Sequence, residues 1–534
     1  MGNYLSRINF NGALSRVANR PENDNTSTPR KRKREHLNFD DEYEEASSRQ
    51  IPDQLNTPKR KRLKSTSKYI YQTLFLDGEN SDITIVALGR RWPLHKLYLC
   101  QSPYFSSMFS GSWKESELSE IQMDIFDTNI DENALKIAFG SLYKDGIFMK
   151  PVDVVGVLAA ASLLQLDGLI DHCLSMMQDN VSSATLCGYY IGAQTYGMKK
   201  VEEECLTWVL QNLLTSQDTK LLNGISIDMM KKFVTSPDLF VMQVEMDIYT
   251  MLKRWLFLTL HPTWSGEHKD LCSDTDGFFK NNAKDNGRSF LQSEEGGQFT
   301  PVFKELRWQH IISDMASIKI LERDNIINMC WIEPVFQHQW KQMIQIEQKI
   351  DKGPESVEDD IFGQQSIRCG RILQKEATYC WRWVGYSYGL DLLVMCINRM
   401  ISIKRNTSGQ ICPHSVDMQS HRTLYYRLRV ASRDPNGKPV LIRETGIERA
   451  TLEKDGEVTV MTLDKALKFP IYLSMNLMLI SPSGDFPNLE FSSQTDGCLI
   501  DDESQTNISI MNSIVEEPST LSHSDQSSFE SAIS

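Results

Sequence analysis

The 534-residue sequence predicts an α+β multidomain chain. A mixed α/β module is expected over residues 67–180, a helical domain over 181–350, a linker over 351–367 and an antiparallel β domain over 368–485. Three observations carry that expectation. Between Ser81 and Met177 short alternating runs exchange with helical spacing. From Val181 to Leu260 apolar residues recur at three and four positions. Beyond Arg368 the period falls to two, and Asp434-Pro435-Asn436-Gly437 and Asp455-Gly456 supply hairpin turns.

Within the first module, Asp82 to Leu88 alternates β-branched and small residues, and Gly89 and Arg90 turn the chain toward Trp92. That pattern predicts a two-stranded hairpin. His95 to Leu99 has helical spacing, and Ser102-Pro103 opens a second helix with proline where a missing N–H is tolerated. After a strand-like Ile121 to Ile125 come helices over Ala134 to Tyr143 and Val154 to Leu166. The latter is apolar nearly all round, so neighbours must bury it.

Helices are then expected over Thr185–Tyr196, Val201–Leu214, Ile227–Val234 and Val241–Leu260, with breaks at Gly197, Gly224 and Ser236-Pro237. Residues 261–298, rich in Asp, Asn, Gly and Ser, predict an irregular insert, and Phe303 to Ile346 returns to helix. Seven strand-like runs follow, from Tyr379–Trp383 to Ile471–Ile480, suggesting a compact sandwich.

Composition narrows the function. The formal charge is −13, but Cys498 to Ser534 alone holds seven acids and no Lys or Arg, so the folded part is only mildly acidic. Direct nucleic-acid binding is therefore not expected. Eleven cysteines without a CxxC pair read as buried small hydrophobes, and ten histidines without HxH or HExxH predict no metal centre and no cofactor. No triad or phosphate loop stands out, so an enzyme is the least supported class. The longest apolar run is too short to span a bilayer and no secretory pattern opens the chain, which predicts an intracellular protein.

Both termini, 1–66 and 486–534, have the polar composition of disordered segments. Met1 to Ser6 fits the myristoylation pattern with Gly2 as acceptor; one acyl chain needs a second signal for peripheral membrane attachment. Arg30, Lys31, Arg32, Lys33 and Arg34, and then Lys59, Arg60, Lys61 and Arg62, form two nuclear-import candidates. Thr28 and Thr57 each precede a proline and a basic run, so phosphorylation there would offset the cations.

The segments SDITIV (81–86), PLHKLYL (93–99), SPYFSSMF (102–109), WKES (113–116) and LLQLDGL (163–169) closely resemble the BTB (POZ) domain. That resemblance implies a homodimer through a first helix over Tyr69 to Leu76, with Tyr69, Leu74 and Phe75 at the interface and Asp82 and Lys96 in a charged pocket there. It also implies a cullin contact by Trp113 and Glu115, with Tyr143 a weaker candidate. His95 is read as a packing residue. Tyr196-Gly197-Met198 and Val244 to Tyr249 resemble the BACK domain that often follows BTB.

LNTP (55–58), STSKYIYQTLFL (65–76), FVMQVEMDIY (240–249) and YCWRW (379–383) resemble the germ cell-less family. What this implies is a nuclear or nuclear-envelope protein with a role in germ-cell development or spermatogenesis. It would act as a substrate adaptor of a cullin-3 ubiquitin ligase, gripping protein substrates with the β domain. The same resemblance permits a non-degradative scaffold with partners such as the transcription-factor dimerisation partner, emerin and lamina-associated polypeptides.

Overall fold

A computed structural model describes residues 65–482 except 111–116, 217, 287, 386–389 and 407–418. The first module begins with a short helix, α1 (Thr66–Ile70), that widens into a π-helical turn over Tyr71–Leu76. The hairpin is β1 (Ile83–Ala87) and β2 (Arg90–Leu94), and its turn is Leu88-Gly89, one residue earlier than expected, with φ of 51° and 73°. Two consecutive positive φ values give the twist that a tight hairpin needs, which Gly89 meets without strain.

Helices α2 (Lys96–Leu99) and α3 (Pro103–Ser110) precede β3 (Glu120–Gln122), which pairs parallel to β1. The module closes with α4 (Glu132–Ser141), α5 (Val154–Leu164) and α6 (Asp167–Asp179). Asp131 caps α4 by accepting the Ala134 N–H at 2.7 Å, satisfying one of the orphan donors of a helix start. The all-round apolar α5 is buried as its pattern requires: Val154, Val157, Leu158, Ala160, Ala161 and Leu164 have no exposure.

The helical domain comprises α7 (Leu186–Thr195), α8 (Lys199–Asn212), α9 (Thr219–Gly224), α10 (Ile227–Thr235), α11 (Met246–Leu260), α12 (His268–Asn286), α13 (Thr300–Lys304), α14 (Trp308–Ile311), α15 (Met315–Asp324) and α16 (Glu333–Glu347). Its hydrophobic core is continuous with that of the first module, one cluster running from Phe75 to Val335. Hydrogen bonds cross the same boundary: Tyr189 donates to Pro151 O at 2.8 Å and Tyr196 to Asp127 at 2.7 Å.

The expected irregular insert is largely the helix α12, which corrects the sequence reading. Its Asp, Asn and Gly content gives poor helix propensity. Tertiary contacts hold it instead: Leu271 and Phe279 enter the core, and Asp276 takes the buried Lys253 ammonium, which also bonds Asp324 at 2.7 Å. The expected linker likewise contains a helix, α17 (Asp359–Gln365).

Nine strands, among the described residues, build the β domain: β4 (Ile367–Leu373), β5 (Tyr379–Gly385), β6 (Leu390–Ile397), β7 (Met400–Arg405), β8 (His421–Arg433), β9 (Pro439–Glu444), β10 (Glu448–Glu453), β11 (Glu457–Thr462) and β12 (Ile471–Met478). One sheet has the order β10-β8-β12-β4 with β9 also on β8; the other is β11-β7-β6-β5. All pairings within them are antiparallel. Inward side chains of both, among them Leu392, Val394, Ile403, Leu428, Val430 and Leu473, form one core, so the domain is a sandwich.

Candidate protein-docking surfaces

The outer face of the first module begins at α1. Tyr69 stands 56 % exposed and Leu76 is also exposed, while Leu97 on α2, which sequence reasoning missed, is 80 % exposed. Exposed apolar side chains of this size suit burial by a partner. Leu74 is half-buried against the core.

Phe75 departs from the expectation. It is buried within its own chain, 5.2 Å from the rings of Tyr71 and Tyr143. The reason is the π-helical turn, in which Asp77 N–H reaches back five residues to Gln72 O and side chains rotate away from their α-helical phase.

Asp82 and Lys96 are adjacent, but the contact seen is not a simple ion pair. The Asp82 carboxylate accepts the backbone N–H of Lys96 at 2.7 Å, satisfying the first orphan donor of α2, whose own preceding residue, His95, supplies no side-chain cap. The Lys96 ammonium sits 5.4 Å from the centre of the Phe109 ring. The residue just before β1 thereby fixes the start of a helix that carries the exposed Leu97.

Tyr143 is also corrected. It is buried, stacked on Tyr98 with ring centres 4.3 Å apart, and its hydroxyl accepts the His95 N–H at 3.0 Å. Glu79 O, 2.9 Å from Nε2, can only accept, so Nε2–H donates there, and in the neutral ring Nδ1 is left to accept from the Tyr143 hydroxyl 3.2 Å away. Burial raises the Tyr143 pKa well above the ordinary phenol value. His95 is the packing residue its sequence context suggested.

Trp113 and Glu115 lie outside the described residues, as do Gly2, Thr28, Thr57 and the two basic runs. Within the module, in the segments before and after α4, Phe126 and Phe148 are 92 % and 88 % exposed.

The second site is the joint between helical domain and sandwich, which the sequence reading did not anticipate. Arg368 on β4 grips Glu245 side-on, with Nε and Nη2 each donating at 2.9 Å, and its backbone N–H bonds the same carboxylate at 3.0 Å. Its remaining nitrogen donates to Val234 O and Ser236 O. Both side chains are essentially unexposed. Burial alone would raise the Glu245 carboxyl; the Arg368 and Arg307 guanidiniums outweigh it and hold the group below the ordinary range. Arg307, pushed down to about 9 by burial, donates to Ser366 O and Gly363 O.

Around this pair the contact broadens. Trp208 donates to Asn436 O and Asn212 to Gly437 O, each at 2.9 Å, so the β8–β9 turn is seated on α8. Arg433 stacks 3.5 Å above the Tyr472 ring and 5.0 Å from that of Phe240. Asp238 receives Arg427 and Arg429.

Known proteins place these features. Residues 71–181 match the BTB/POZ domain family. Germ cell-less protein-like 1 of Mus musculus is 53 % identical over 430 residues, covering 80 % of this chain and 82 % of its own. The chain belongs to the germ cell-less family. Protein germ cell-less of Drosophila melanogaster shares 35 % identity over 82 % of this chain and 81 % of its own. Kelch repeat and BTB domain-containing protein 8 of Homo sapiens is 23 % identical over only 34 % of this chain and 30 % of its own. Similarity to the germ cell-less relatives therefore extends well beyond the BTB domain, a module of dimerisation and partner binding.

Proposed function

We propose that this germ cell-less protein is a substrate adaptor of a cullin-3 ubiquitin ligase, with no catalytic site of its own. Homodimers form through the α1 and α2 face, Trp113 anchors the cullin, Glu115 adds a polar rim contact, and the sandwich holds a protein substrate. The observation that supports this reading best is mechanical. One core joins the BTB domain to the helical domain, and a buried ion pair joins that domain to the sandwich. A substrate on the sandwich would thus sit at a fixed reach from a ligase on the BTB domain, which raises the effective concentration of target near enzyme.

The nucleus, at its envelope or matrix, is the proposed location, with the two basic runs as import signals and a Gly2 acyl chain as a membrane contact. Germ-cell development or spermatogenesis is the proposed setting. A scaffold that tethers transcription factors, emerin or lamina-associated proteins without degrading them is the rival reading, since the same fixed reach serves tethering. Purification of cullin-3 with wild type and with a Trp113→Ala, Glu115→Ala double variant separates the two. The adaptor reading expects cullin-3 to be lost while the dimer survives size measurement. Equal recovery of cullin-3 by both proteins, or none by either, would refute it.

A further inference from the structure

The last long helix of the helical domain, α16, is apolar on two sides. Val335, Gln339, Gln342 and Ile346 form its buried side. Roughly 100° around the axis, with 3.6 residues per turn, lie Phe336, Trp340, Met343 and Ile344. Trp340 is 64 % exposed, and Ile350 just past the helix is 68 % exposed. Lys341, Lys349 and Lys352 are exposed along the same helix and its C-terminal end; the acids among them are Glu347 and Asp351, the latter largely covered beside Arg422.

The described chain finishes beside this helix. The Ser481 N–H donates to the Asp351 carboxylate at 3.2 Å and its hydroxyl lies 3.1 Å from Gly353 O, four to six residues beyond the end of α16. From there the sequence continues into a segment whose Asp, Glu and Ser content is interrupted once by a dense apolar run, Ile508-Ser509-Ile510-Met511-Asn512-Ser513-Ile514-Val515. At helical spacing its five apolar residues fall within an arc of about 160°. Asp501, Asp502 and Glu503 precede it, and Glu516 and Glu517 follow.

We propose that residues 508–515 dock on the Phe336, Trp340, Met343, Ile344 flank of α16 in the same chain. Reach permits it: a tether of 25 residues, 483–507, has a root-mean-square span of about 28 Å. The helix from Glu347 back to Phe336 is only about 17 Å long at 1.5 Å per residue, and Asp351 lies four residues past its end. A tether of that length supplies an effective concentration on the order of millimolar, so even a weak apolar contact is populated. Charge favours the same seat, since the acids before the run face Lys349 and Lys352 as the tail leaves Ser481. The tail then shields an apolar face until a protein with a stronger apolar strip displaces it.

The test uses the full chain with p-benzoylphenylalanine in place of Ile510, irradiated and mapped by mass spectrometry in a mixture of heavy and light protein. Cross-links concentrated on residues 336–347 within one isotopic chain are expected. A Trp340→Asp variant should lower them about tenfold, the loss of one anchoring aromatic. Ile514→Asp, which lies outside the described fold, should do the same without touching the helix. Cross-links spread evenly over the surface overturn the proposal. So do links found only between heavy and light chains, which would seat the tail on a second copy. Silence of the probe at 510, while one at Ile350 labels its neighbours, overturns it as well.

Discussion

Glu245 shows what one side chain contributes to this molecule. It sits fully buried, and every nitrogen of Arg368 is spent on it or on the carbonyls of Val234 and Ser236. Replacing Arg368 by Met strands the carboxylate and should cost about 3–5 kcal/mol in chemical denaturation. A Glu245→Met, Arg368→Met double variant should lose less than the single Arg368 variant, because the buried carboxylate leaves together with the cation that grips it. A loss in the double variant as large as in the single one would contradict that account. Nearby His310 is pushed down to about 4 by burial, from an ordinary 6.5, and its Nε2 lies 2.8 Å from Gln365 O. In the unfolded chain His310 takes up a proton that the folded chain refuses. Stability should therefore rise with pH between about 4 and 6.5, and be lost as pH falls through that window. The depressed Glu245 carboxyl acts in the same direction at the lower end, its contribution present above the unfolded pKa and lost as pH drops through the folded one. Urea midpoints for wild type and His310→Gln across this range will show the flatter profile expected of the variant. At the docking module, Tyr143→Phe keeps the stack on Tyr98 but leaves the buried His95 N–H without its acceptor. About 1–3 kcal/mol of destabilisation is expected by denaturation, with the dimer unchanged by light scattering.

Strand β4 illustrates the scale of single elements. One edge pairs with β12, and the other faces the segment from Val241 to Glu245 of the helical domain. The approach is so close that a Cβ at Gly370 would collide with Val241 O and press on Leu473 O. Gly370→Val should therefore separate the two layers and cost about 1–3 kcal/mol or more, read as earlier cleavage by protease at the joint. Unchanged cleavage would show that the edge is not sealed there. This strand was invisible in the sequence. Its pattern, IRCGRIL, carries two arginines and a glycine, and its burial is decided by a partner more than a hundred residues away. β10 escaped for a different reason: Ala450 and Leu452 do alternate inward, but Glu448, Arg449, Thr451 and Glu453 make the run look like a loop. The turn between β6 and β7, Asn398-Arg399 with φ of 48° and 62°, lacks the glycine that marks such turns. By contrast α5, the first hairpin and the seven strand runs were legible, because each carries its burial in local spacing. The residues singled out in the first module divide the same way. The burial of His95 follows from its apolar helical context, whereas the inward turn of Phe75 depends on a π-helical step with no signature in composition.

Across the whole described chain, the BTB domain, helical domain and sandwich are held in sequence by one shared core and one charged joint. Ending the chain at Asp360 would accordingly do more than remove a substrate-binding end. It would expose or strand Glu245, deprive Arg307 of Ser366 and Gly363, and uncover Trp208 and Asn212. Far-UV circular dichroism of the truncated protein should show the helices melting several degrees below those of the full chain. An unchanged melt would mean the sandwich is merely appended.

The pairing of Glu245 with Arg368 also has a history in the life of each molecule. The two residues are 123 positions apart, and a ribosome adding about 5–20 residues per second needs roughly 6–25 seconds to travel between them. Throughout that interval the newborn helices carry a carboxylate without its two-toothed partner, and Arg307, made about halfway through, comes no nearer than 4.0 Å in the finished fold. Final closure of the middle of the protein must wait for its last third to be made, so a stalled or prematurely terminated chain is left open at its waist.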